Sequence, residues 1–177
     1  MNLRLPLPMR VERTLVFLAC LVLTTIAVRA EGQSHAIKPD ARTVLTLTRP
    51  GMEPVRVALS LTKTERALPY KDALFWGGDA GELPKEVVTT IQVNDGAQVV
   101  FVPLSAYGDL GDVKSASLDR TAQGFTLHLH GGDTATAYDA ELSFADGYLV
   151  RRTVALREFP QQRREETKYA FPKRTEG

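Results

Sequence analysis

The chain has 177 residues, 44% of them apolar and 24% charged, with a formal net charge of +1. That length fits one domain with some chain to spare, and the apolar share excludes global disorder. A near-zero charge leaves no electrostatic footprint for nucleic acid, and sparse aromatics leave no platform for stacked bases.

Residues 1–30 read as a leader rather than as part of the fold. Arg4, Arg10 and Arg13 precede a 15-residue apolar run from Thr14 to Val28, and Val28 and Ala30 stand at the −3 and −1 positions before Glu31. This is the three-part pattern of a secretory signal peptide. The run is shorter than the roughly 20 apolar residues that a transmembrane helix needs. Cys20 opens a second reading as a lipoprotein, but Phe17 occupies the position where Leu is usual and apolar residues follow the cysteine. Cleavage after Ala30 removes the sole cysteine, so the mature chain has no disulfide, no thiol nucleophile and no thiolate ligand. Neither Asn2 nor Asn94 has Ser or Thr two residues on, so there is no glycan acceptor. An exported chain of this kind suits a bacterial periplasm or exterior, with no membrane insertion once the leader is gone.

Glu31–Arg42 is polar and reads as a flexible lead-in. A period of two then begins. Leu45 and Leu47 share one face of Thr43–Arg49, and Val55, Val57, Leu59 and Leu61 share one face of Val55–Thr62, with "RPGMEP" turning the chain between them. Lys63–Glu86 breaks the period with two prolines, three glycines and the only tryptophan. Val87–Val102 is a second hairpin with Asp95-Gly96 as turn dipeptide. Apolar residues on both faces of Val99–Val102 predict a central strand covered on both sides. Pro103–Asp112 has room for one helical turn, and further strands are expected at Val113–Arg120, Gly124–His130, Thr134–Phe144, Tyr148–Glu158 and Glu165–Phe171. "WGGD" and "HGGD" recur 54 residues apart, but their flanks do not match, so no internal repeat is inferred.

Strand phase separates Phe125, Leu127 and Leu129 from Thr126, His128 and His130. On the next strand Tyr138, Ala140, Leu142 and Phe144 form the apolar set and Asp139, Glu141 and Ser143 the polar one. Matching faces requires an even loop, of two or four residues. A two-residue Gly131-Gly132 turn pairs His130 with Asp133 and Phe125 with Tyr138. For the following hairpin, a three-residue Ala145-Asp146-Gly147 loop pairs Phe144 with Tyr148 and Glu141 with Arg151. That register puts Arg152 on the apolar face, where a guanidinium needs a carboxylate or several carbonyls.

Two stretches could carry chemistry. His128 and His130 project in parallel, and with Asp133 as third ligand they could hold a divalent metal. Without a fixed third partner the plainer reading is a solvated hairpin tip, and no cofactor is assumed. The loop around Phe75, Trp76, Asp79 and Glu82 is the stronger recognition candidate, because aromatic anchors in surface loops often carry binding energy. Its plainer reading is a plug that closes one end of the sandwich. Neither glycine pair is followed by Lys-Ser/Thr, so neither is a phosphate loop, and no Gly-x-Ser-x-Gly appears.

The expected architecture is an all-β antiparallel sandwich, or open barrel, of about eight or nine strands. Residues 43–171 form the β domain and 172–177 a frayed tail. The expected role is a non-enzymatic binding or interaction module of the bacterial envelope, with a protein or envelope ligand as partner. The alternative is a metal-binding protein or metal-dependent enzyme built on the His-x-His strand.

Overall fold

The computed structural model describes residues 33–67, 75–78 and 83–171. The leader, the tail at 172–177, Asp79 and Glu82 lie outside the described residues. The described chain is all-β, in two antiparallel sheets. One is a four-stranded meander of β2 (Arg42–Arg49), β3 (Met52–Lys63), β4 (Glu86–Asp95) and β5 (Gln98–Val100). The other holds β6 (Val113–Arg120), β7 (Gly124–Gly131), β8 (Tyr138–Ala145), β9 (Tyr148–Leu156) and β10 (Arg163–Lys168), with β1 (His35–Ala36) added beside β6.

The period-two pattern explains the core. Leu45, Val55, Val57 and Leu59 from one sheet meet Leu127, Leu129, Leu142 and Phe144 from the other in a single buried cluster. Burying each such side chain stabilises the fold by about 1.5–3 kcal/mol. Phe125 and Phe144 stack within it at a centroid distance of 4.6 Å. Their strands meet at Phe125↔Phe144, not Phe125↔Tyr138. At the β2–β3 turn, the Arg49 guanidinium is nearly buried, donating to the Glu53 carbonyl and pairing with Asp95 at 2.5 Å.

Several expectations are corrected. The stretch Val99–Val102 is not central: β5 is an edge strand paired only with β4 among the described residues, and Val99 and Phe101 face outward. Apolar residues on both faces signal coverage only when a second layer is present, and none of the described residues forms one over this outer face. The polar lead-in is not all loose: His35 and Ala36 pair with Ala116 and Ser115, and the Ile37 N–H donates to the Lys114 carbonyl.

The β7–β8 connection is neither two nor four residues long. Gly131 pairs with Tyr138, leaving a loop over 132–137 with a 3₁₀ turn at Thr134–Thr136. Asp133 caps that turn: its carboxylate accepts from the Thr134 N–H, and its own N–H donates to Thr136 Oγ1. The loop length is still even, so leucines stay inward and histidines outward, as phase demands.

The β8–β9 loop is a two-residue turn, Asp146-Gly147, both at positive φ, not a three-residue loop. A bulge then inserts Val150, so that Ser143 faces Arg151, Leu142 faces Arg152, and Glu141 faces Thr153 rather than Arg151. Arg152 does point into the apolar face. It meets the two carboxylates that burial of a guanidinium requires, Asp109 at 2.7 Å and Glu165.

Candidate functional site

Asp109–Asp112 ties together one end of the sandwich. The Trp76 N–H donates to the Asp109 carbonyl, and the Gly111 N–H donates back to the Trp76 carbonyl, both at 2.9 Å. The Val88 N–H donates to Leu110, and the Gly132 N–H to Asp112. Asp112 takes a left-handed conformation (φ 46°), which aspartate tolerates better than most residues, and its carboxylate accepts from the Glu86 N–H at 3.0 Å. One short segment thus holds the aromatic loop, the start of β4 and the end of β7 together.

Tyr138 is the centre of this end. It is fully buried, donates its hydroxyl to the Gly111 carbonyl at 2.8 Å, and packs against Trp76 at a centroid distance of 6.1 Å. Burial pushes its phenol far above the ordinary tyrosine range, with the charges of Asp109 and Asp112 acting in the same direction. The two glycine-marked stretches converge on this ring. A Cβ on Gly131 would lie 2.4 Å from Tyr138 Cζ, and one on Gly77 would lie 2.4 Å from the Gly111 carbonyl oxygen and 2.9 Å from Tyr138 Cε1. The shared "GGD" is therefore a packing feature at these first glycines: both make room for one tyrosine.

Beside this packing lies an open cleft whose lining includes Ile37, Leu83, Lys85, Glu86, Lys114 and Asp133. Its volume of about 420 Å³ is within the range of small-ligand sites. Burial raises the Glu86 pKa above 4.5, and repulsion from Asp40 and Asp112 adds to it against the pull of Lys63. Asp133 moves the other way: a hydrogen bond and the charge of Lys114, 3.1 Å distant, hold it below the usual aspartate value. Trp76 is half-buried and packed on the core, which is the arrangement of a plug, while Gly77 after it borders the cleft. Phe75 is also half-buried.

The histidines sit elsewhere, on the outer face of the six-stranded sheet. His128 faces Ser117 and Glu141, and His130 faces Ser115 and Asp139. Both ring nitrogens of His128 approach carboxylates, Asp119 at 3.2 Å and Glu141 at 3.6 Å. His130 Nδ1 lies 2.6 Å from Asp139 Oδ1, which Arg157 also contacts at 3.1 Å. Asp133 is not brought to them: the loop over 132–137 carries it to Lys114. His35 opposes the buried Ala116, so its strand phase assigns it to the other face. Among the described residues no three His, Cys, Asp or Glu side chains are grouped to hold a metal. The in-register row Ser115, His130, Asp139 has the residue types of a hydrolytic triad, but no hydrogen bond joins the serine to the imidazole, so it remains a row of polar neighbours.

Sequence reasoning missed the cleft lining at Ile37, Lys85, Glu86, Asp112 and Lys114. These residues come from three separate segments, and no spacing rule links them. No protein-family model, curated protein or solved structure matches this chain.

Proposed function

We propose that this chain is an exported bacterial envelope protein acting as a non-enzymatic binding module, with the cleft beside Gly77 as its recognition site. The observation that carries the reading is the cleft lining. Leu83 offers exposed apolar surface beside the nearly buried Ile37 and Val113, and Lys85 and Lys114 line the same cleft as Glu86 and Asp112. Such a lining suits a partner with an apolar body and charges of both signs, as a peptide segment has. Export rests on the leader at residues 1–30.

Two measurements test the reading. Mass spectrometry of the protein recovered from an expressing bacterium should find the mature chain starting at Glu31; retention of the leader in the soluble fraction would overturn export. A pooled panel of short synthetic peptides, mixed in charge and apolar content, should shift the amide resonances of Gly77, Lys85 and Lys114 in the labelled protein. Lys114→Glu should abolish that response. Shifts that survive Lys114→Glu, or that fall on other surfaces, would remove the cleft as the site.

A further inference from the structure

The three most exposed large apolar side chains described are Val99 (76%), Phe101 (69%) and Leu104 (65%), and all lie within six consecutive residues. They begin on β5, whose only sheet neighbour among the described residues is β4. Natural edge strands are usually blunted by charge, proline or a bulge. Residues 98–102, Gln-Val-Val-Phe-Val, contain no charge and no proline until Pro103 ends the run.

The backbone phase is set by the hairpin. Asp95 and Gln98 flank the two-residue turn Gly96-Ala97, so they form the closing pair that exchanges both hydrogen bonds. Bonded pairs alternate along an antiparallel ladder. The N–H and C=O groups of Gln98 and Val100 therefore face β4, and those of Val99 face the edge that no described strand covers; the same alternation carried one residue past β5 turns those of Phe101 the same way.

We propose that β5 pairs antiparallel with β5 of a second copy of this chain, about a twofold axis at Val100. That register sets Val99 against the partner's Phe101 and Phe101 against the partner's Val99. It uses all the outward backbone groups of both residues and joins two four-stranded sheets into one of eight strands. Each cross-strand pair is aromatic on β-branched, a favourable combination, and no like charges meet. The pattern is self-complementary, as an isologous contact requires. The paired segment is short, so the interface falls among the small ones, below about 1,200 Å², and the dimer is a weak, concentration-dependent one.

Sedimentation velocity from about 5 to about 500 µM should show a reversible monomer–dimer equilibrium, as expected of a small interface. Phe101→Lys and Val99→Lys should each weaken it roughly tenfold or more. Val44→Lys, at an exposed site on the opposite edge strand, should leave it unchanged. In a Cys20→Ala background, Val100→Cys should give a disulfide-linked dimer on mild oxidation, because non-hydrogen-bonded partners stand about 4.5 Å apart at Cα. Trp76 fluorescence on melting verifies that each variant is folded. A monomer throughout the range, equal loss of dimer in Val44→Lys, or failure of Val100→Cys to cross-link would each overturn the proposal.

Discussion

The Arg152 Nη2 lies 2.7 Å from both carboxylate oxygens of Asp109, 43 positions earlier in the chain. Glu165 on β10 takes Nη1. The guanidinium is 3% exposed, whereas each carboxylate keeps about a third of its surface in water. Removing one partner therefore has unequal consequences. Asp109→Ala strands much of a buried cation and should cost about 3 kcal/mol in urea unfolding. Arg152→Met leaves two carboxylates that water can reach, and it also removes a buried Nε without a hydrogen-bond partner in the structure. It should cost clearly less, and the reverse order would show that the acids, not the arginine, suffer the burial.

Gly131→Ala should destabilise by about 1–3 kcal/mol, because its Cβ has no room beside the buried Tyr138 ring. Thermal melts of Gly131→Ala, Tyr138→Leu and the double variant should be non-additive, with the double variant better than the sum. Additive losses would mean that the ring and the glycine do not share the constraint. Tyr138→Phe, which loses only the hydrogen bond to Gly111, should cost about 1 kcal/mol.

Glu86 and Asp133 border the same cleft and should give opposite pH responses. Glu86 holds its proton more tightly in the folded state, chiefly through burial. Its ionisation therefore erodes stability as pH rises from about 4.5 through the raised value. Glu86→Gln should gain on the wild type as pH rises above about 4.5. Asp133 is held low by Lys114, so its contribution is present at neutral pH and fades as pH falls. Lys114→Ala should reduce that fade, leaving the smaller part due to the Thr134 N–H and Lys85. Melting temperatures across the range check both, and parallel slopes for Glu86→Gln and wild type would refute the first.

The separation of Asp133 from the histidines bears on the metal reading. Protein equilibrated with excess zinc and then desalted should carry no stoichiometric ion by elemental analysis, and its melting temperature should not depend on His128 or His130. Stoichiometric zinc that disappears in the His128→Ala/His130→Ala double variant would favour the metal reading over the binding module.

Faces were legible in the sequence, and partners were not. Period two assigned Leu127, Leu129, His128 and His130 to their sides because alternation is a local property of the strand. Register failed wherever a loop made its own structure, as with the Asp133 cap and the Val150 bulge. Burial failed at Val99 because nothing in a strand's own residues reports whether a second layer lies over it. The cleft was located only by its neighbour, the aromatic loop, since its walls come from distant segments that the Asp109–Asp112 hub brings together.

Val150 has a consequence for how this fold can vary in length. Leu149 and Arg152 point inward, and Val150 and Arg151 lie between them on the outer side. Deleting Val150 would leave in, out, in, with every pairing beyond it intact. Position 150 is thus a place where a one-residue gap turns no side chain over. A gap further along, past Thr153, would turn over either the residues between it and the bulge or those beyond it, and the strand would have to be rewritten.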